Sequence, residues 1–176
     1  MNTIKFLNDI LPLKNVLYRL ALRITLNKAE AEDVVQDTMM KLWSRRETLA
    51  EVESIESFCL TICRNLAVDK TRKAERQNAS MSEEEEPSLP QMADSSPNAN
   101  PETLVEQRDR VTLVRQIIDQ LPEKQRSVMQ LRDFEGKSYK EIASILNISE
   151  EQVKVNIFRA RQAIKKRIIE TENYGL

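Results

Sequence analysis

The chain has 176 residues, is 40% hydrophobic and carries two glycines, Gly136 and Gly175, against an abundance of Leu, Ile, Ala, Glu, Lys, Arg and Gln. That mixture suits helices and starves hairpin turns of their usual residues, so the expected fold is all-α. Histidine is absent and cysteine is limited to Cys59 and Cys63, too few ligands for a zinc site, and net charge is −1.

Charge is uneven when counted by segment. Residues 1–76 hold 13 basic and 11 acidic side chains, residues 77–102 hold none and 6, and residues 103–176 hold 14 and 11. Two mildly basic blocks therefore flank an acidic strip.

In the first block, 1–76, Ile4 to Thr25 is expected to be helical, with Asn27 as the stop. Its opening stretch, Met1 to Leu20, mixes Lys and Asp into apolar positions, unlike a signal peptide, and no apolar run nears the roughly 20 residues that span a bilayer. A cytoplasmic protein with no membrane insertion of its own is expected. A second helix from about Ala29 to Arg45 lines up Val35, Met39 and Leu42 on one stripe, with Trp43 beside it and Asp33, Gln36, Asp37 and Met40 on other faces. The third helix, roughly Ile55 to Arg76, buries Phe58, Ile62 and Leu66 and ends in Lys70, Arg72, Lys73 and Arg76. Cys59 and Cys63 lie four apart within it and read as small buried hydrophobes.

The strip 77–102 contains Glu83 to Glu86 in a row, four prolines, and many Ser and Asn. Almost nothing in it can be buried, so it is expected to be a flexible linker. The architecture is then two small helical domains on a tether, each near the lower limit for an independent core.

In the third segment, 103–176, a helix is expected over Pro101 to Gln120, and Pro122 opens another that runs to about Phe134. Ser138 with Glu141 and Ser149 with Gln152 both have capping-box spacing, starting a short helix through Leu146 and a longer one to about Ile169. These two form a helix-turn-helix. Ile142, Leu146, Ile148, Val153 and Ile157 lock it, Ala143 is the small contact, and Asn147 sits where the turn favours left-handed backbone. The outer face of the second helix then carries Lys154, Val155, Phe158 and Arg159, with Arg161, Lys165, Lys166 and Arg167 extending its positive charge. Arginine and lysine there can reach guanine edges or phosphates. Without histidine, a glycine-rich phosphate loop or a recognisable catalytic set, no enzyme, cofactor or metal is expected. On the residues alone, a helix-turn-helix regulator and a protein-binding adaptor remain open beside other DNA-binding roles.

The chain resembles the extracytoplasmic-function class of bacterial RNA polymerase sigma factors over almost its whole length. AEDVVQDTMMKLW, from Ala31 to Trp43, is similar to the family's polymerase-binding helix, and SFCLTICRNLAVDKTR, from Ser57 to Arg72, to its promoter-melting helix. Leu121 to Arg167 resembles the domain that binds the minus-thirty-five element. The resemblance implies core RNA polymerase and promoter DNA as partners, with Asp33, Gln36, Asp37 and Met40 docking the polymerase. It implies that Arg64, Asn65, Arg72, Lys73 and Arg76 contact the minus-ten region, including its melted strand, and that Lys154, Val155, Phe158, Arg159 and Arg161 serve the upstream element. The loop expected to trap a flipped minus-ten base falls near Glu47 to Glu56. This loop is acidic and lacks an aromatic platform for stacking. The linker resembles the acidic connector that threads through the polymerase, and an anti-sigma factor often restrains this class.

Overall fold

The computed structural model describes residues 5–80 and 101–174. Among them every regular element is helical. The flexible linker expected over 77–102 lies mostly outside the described residues; its first four positions, 77–80, continue the preceding helix.

The helix expected from Ile4 to Thr25 is divided. Phe6–Ile10 forms a π-type turn, Leu11–Leu13 a 3-10 turn, and only Lys14–Thr25 is α-helical (α1). Pro12 accounts for the break, since it lacks an N–H and is tolerated only in a first turn. After α1 the left-handed residue is Leu26, at φ 57°, and Asn27 begins the next helix instead of stopping the last. The Asn27 side chain accepts a hydrogen bond from the Glu30 N–H at 3.1 Å, an N-cap for α2 (Lys28–Ser44).

Along α2, Ala31, Val34, Val35, Thr38 and Leu42 face inward, as the helical spacing requires. The buried Thr38 hydroxyl is satisfied by donating to the Val34 carbonyl at 2.7 Å. Helix α3 (Ile55–Ser80) closes a three-helix block whose centre holds Leu17, Leu20, Ile24, Val34, Leu42 and Leu60. Cys59 and Cys63 are free and fully buried there. Burial pushes both thiols up to about 12, which keeps them protonated.

The second block contains α4 (Pro101–Asp119), α5 (Glu123–Met129), a π-type turn over Gln130–Phe134, α6 (Tyr139–Leu146) and α7 (Glu150–Asn173). Both expected capping boxes form, with the Ser138 and Ser149 hydroxyls each accepting from a backbone N–H at 3.1 Å. Asn147 supplies the left-handed turn at φ 53°. Ile142, Leu146, Val153 and Ile157 are buried, with Ile148 and Ala143 packed against them, and Ile145 joins the set although the spacing did not single it out.

The two blocks share one core. Helix α6 packs on α3 and α5 on α1, so Val128, Leu131, Ile142, Ile145 and Leu146 are continuous with the apolar interior of the first block. Truncating such a side chain to alanine costs about 2–5 kcal/mol. Two blocks near the lower size limit thus each gain a wall from the other.

Candidate nucleic-acid interface

Locking Val153, Ile157 and Ala160 inward leaves one face of α7 outward, because helix positions one and two removed from the buried stripe cannot share its side. Lys154, Val155, Phe158 and Arg159 are all exposed there, with Phe158 at 64%. Most of that ring is open to solvent, beside the half-exposed Val155. Arg161, one turn on, is held at 2.6 Å by Asp133 from the π-type turn, and this bond raises its pKa further. Its guanidinium is therefore aimed by a carboxylate rather than free to sweep solvent.

Tyr139 is a contributor that spacing did not single out. Arg132 lies 4.7 Å and Lys154 5.9 Å from its ring centroid. The ring gathers two cations beside the α7 face, a cation–π arrangement that local sequence shows no sign of because the three residues lie on different elements.

On α3 the candidate cations divide. Asn65, Arg72, Lys73 and Arg76 are exposed along the helix, but Arg64 has only 17% of its side chain exposed. Arg64 Nη2 faces Glu123 of α5 at 4.0 Å, Nη1 reaches the Asn65 side-chain oxygen at 3.5 Å, and Nε is buried without a hydrogen-bond partner. The loop before α3 is pinned by Leu49, which is buried in a 3-10 turn (Leu49–Glu51), and it presents no aromatic ring. Glu56, at the start of α3, is taken at 2.6 Å by Lys137 of the second block.

On α2, Asp33, Gln36, Asp37 and Met40 are exposed. Asp33 pairs with Lys70 of α3 at 3.2 Å, whereas Met40 is 70% exposed. Beside them Trp43 is half exposed, its ring met edge-on by Phe6 at 5.2 Å and covered by the Arg46 guanidinium at 4.6 Å. The result is a mixed acidic and apolar face on one helix.

No group of three metal-ligating side chains exists among the described residues, and no described helix is long and apolar enough to cross a membrane.

Residues 10–77 match the family described as Sigma-70 region 2, and residues 112–164 match Sigma-70, region 4. The sigma factor SigL of Mycobacterium tuberculosis is 30% identical over 151 residues, covering 85% of this chain and 81% of SigL. SigM of Bacillus subtilis is also 30% identical over 151 residues, covering 86% and 87%. Both are ECF RNA polymerase sigma factors. Among solved structures, the Bartonella quintana sigma factor RpoE, crystallised with the anti-sigma factor NepR, aligns with a TM-score of 0.76 over 92% of this chain and 94% of RpoE at 22% identity. CnrH, in complex with the cytosolic domain of CnrY, aligns at 0.59 over 90% and 84% with 20% identity.

Proposed function

From the premise that this chain belongs to the ECF family of RNA polymerase sigma factors, the family of promoter-specific transcription initiation, we propose that it binds core polymerase and recognises both promoter elements. Residues 1–76 form the polymerase-docking and minus-ten domain, 77–102 the connector, and 103–176 the minus-thirty-five domain. The observation that carries this is the α7 face, where Lys154, Val155, Phe158 and Arg159 project from a helix fixed by a capping box and a locked turn.

A recognition helix of this kind enters the major groove, where Arg159 offers two parallel donors to a guanine edge and Lys154 a point charge to phosphate. Arg161, aimed by Asp133, and Val155 complete the contact. On α3, Arg72, Lys73 and Arg76 neutralise backbone phosphates while Arg64 and Asn65 meet the melted minus-ten strand. The acidic and apolar face at Asp33, Gln36, Asp37 and Met40 docks the polymerase. Nucleotide addition is the polymerase's chemistry, so this chain supplies binding and no catalysis. Its site of action is the cytoplasm, and an anti-sigma factor is its expected restraint, as NepR and CnrY are partners of the aligned proteins.

In vitro transcription with core polymerase and genomic promoter fragments tests the proposal. Initiation at discrete promoters only when this protein is added supports it. Unchanged transcription of all fragments overturns it.

A further inference from the structure

Several polar side chains on the outer face of α7 are already engaged before any DNA arrives. Asn and Gln amides are the side chains that recognise adenine, accepting from its N6 amino group while donating to N7. Two of them lie in the first two turns of α7, and both are tied into the helix itself. Gln152 accepts the Ser149 N–H on its side-chain oxygen at 3.1 Å, as part of the capping box. Asn156 donates its amide back to the Gln152 backbone carbonyl at 2.8 Å, which lays its side chain along its own helix. Lys154 lies 5.9 Å from the Tyr139 ring centroid, and Arg161 is held by Asp133. That leaves Val155, Phe158 and Arg159, all of them exposed.

Val155 and Phe158 are three residues apart, so they stand one above the other on the helix surface. They are 44% and 64% exposed, and neither side chain has a polar atom, so they form a small apolar patch flanked by Lys154 and Arg159. In the major groove each base pair presents hydrogen-bonding atoms, and the apolar group among them is the C5 methyl of thymine. Three residues of helix rise about 4.5 Å against about 3.4 Å for a base step, so the patch spans one or two adjacent base pairs. A patch set between cations complements a groove with phosphate walls and methyl groups on its floor. An apolar protein surface would instead have to desolvate both charges without pairing them.

We propose that Val155 and Phe158 read thymine by its 5-methyl group, and that this thymine lies in the base pair next to the guanine taken by Arg159. This assignment of bases rests on the reading of α7 as the helix that enters the upstream element. Arg159 adjoins Phe158 in the chain, and guanine pairs with cytosine, so the thymine belongs to the neighbouring pair. An A·T pair is then recognised there by apolar fit, with no amide hydrogen bond to adenine.

Deoxyuridine tests this directly, because it keeps the pairing and the O4 acceptor of thymine and lacks only the methyl. Holoenzyme assembled from core polymerase and the full chain is titrated against a promoter that it initiates, with each thymine of the upstream element, on either strand, replaced singly by deoxyuridine. At one or two thymines beside a guanine, affinity should fall about fourfold for the loss of one methyl. Phe158→Ala and Val155→Ala, both at exposed positions, should leave circular dichroism unchanged, weaken binding of the unmodified promoter and reduce the difference between thymine and deoxyuridine. The double variant should lose that difference altogether. Lys154→Ala should also weaken binding but keep the difference in full. Deoxyuridine without effect at every position, an upstream element with no thymine, or a double variant as sensitive to deoxyuridine as wild type would each overturn the proposal. Absence of initiation on every unmodified promoter would overturn the sigma assignment and this proposal together, whereas normal initiation that ignores the methyl groups overturns this proposal alone.

Discussion

The Glu135 carboxylate accepts two hydrogen bonds from the Arg19 guanidinium, at 2.7 and 3.1 Å, and so joins residues 116 positions apart. Glu135 also accepts from the Gln130 amide at 3.0 Å. Arg19 is half exposed while Glu135 is nearly covered, so water screens one end of the pair far more than the other.

A pH dependence follows from that pair. Burial raises the Glu135 pKa, but the hydrogen bonds from Arg19 and Gln130 and the charges of Arg19 and Lys137 outweigh it and hold the carboxyl below the usual 4.5. A depressed carboxyl stabilises the packing of the two blocks fully above pH 4.5 and loses that contribution as pH falls below it through the depressed value. Resistance to denaturant should therefore decline in that acid window, and Glu135→Gln should remove this component of the decline. An identical acid profile in the variant would show that the pair does not contribute.

Polymerase docking should depend on the open part of α2. Gln36→Ala with Asp37→Ala should weaken association with core polymerase while leaving helicity unchanged, because both side chains lie off the buried Val35 and Leu42 stripe. Asp33→Ala should have a smaller effect, since Asp33 is already partnered by Lys70. Affinity for core enzyme measured by titration decides it, and equal affinities for wild type and the double variant would remove this face from the interface.

Leu26 offers a stability prediction independent of function. A leucine in the left-handed region is strained by roughly 1–2 kcal/mol, part of which glycine's extra unfolded-state entropy would offset. With Leu26 at φ 57° and on the surface, Leu26→Gly should raise stability by about 1 kcal/mol or less. Asn147→Ala, at φ 53°, should lower it by a similar amount. Denaturant unfolding of the two variants should shift in opposite directions, and a loss of stability in Leu26→Gly would contradict the account.

Upstream recognition should separate two side chains on α7. Arg159→Ala should cost about 1–3 kcal/mol in a promoter-dependent manner if it reads a base edge. Lys154→Ala should cost less, more uniformly, and with a shallower salt dependence. Transcription across promoters varied only in the upstream element is the measurement. A folded Arg159→Ala protein that keeps the wild-type ranking and strength of every promoter would show that α7 does not read that element.

Local chemistry was legible without coordinates. The capping boxes at Ser138 and Ser149, the left-handed Asn147 and the apolar stripes of α2 and α7 each depend on residues within about one or two helical turns, so spacing alone determines them. The exposure of Lys154, Phe158 and Arg159 follows from the same periodicity, once Val153 and Ile157 are turned inward. Spacing was less informative where a single residue changed the backbone, as Pro12 divided the first helix and Leu26 took the turn expected of Asn27. The fate of the remaining side chains was decided only in three dimensions. Arg64 and Arg72 look alike along α3, yet Arg64 lies against Glu123 while Arg72 is open. Arg126 reads as one more surface cation until α5 meets the end of α1. Pairing across the blocks joins positions roughly 60 to 120 apart, where chain entropy leaves the partner unspecified until shared burial of Leu131, Ile142 and Ile145 against the first block fixes the register.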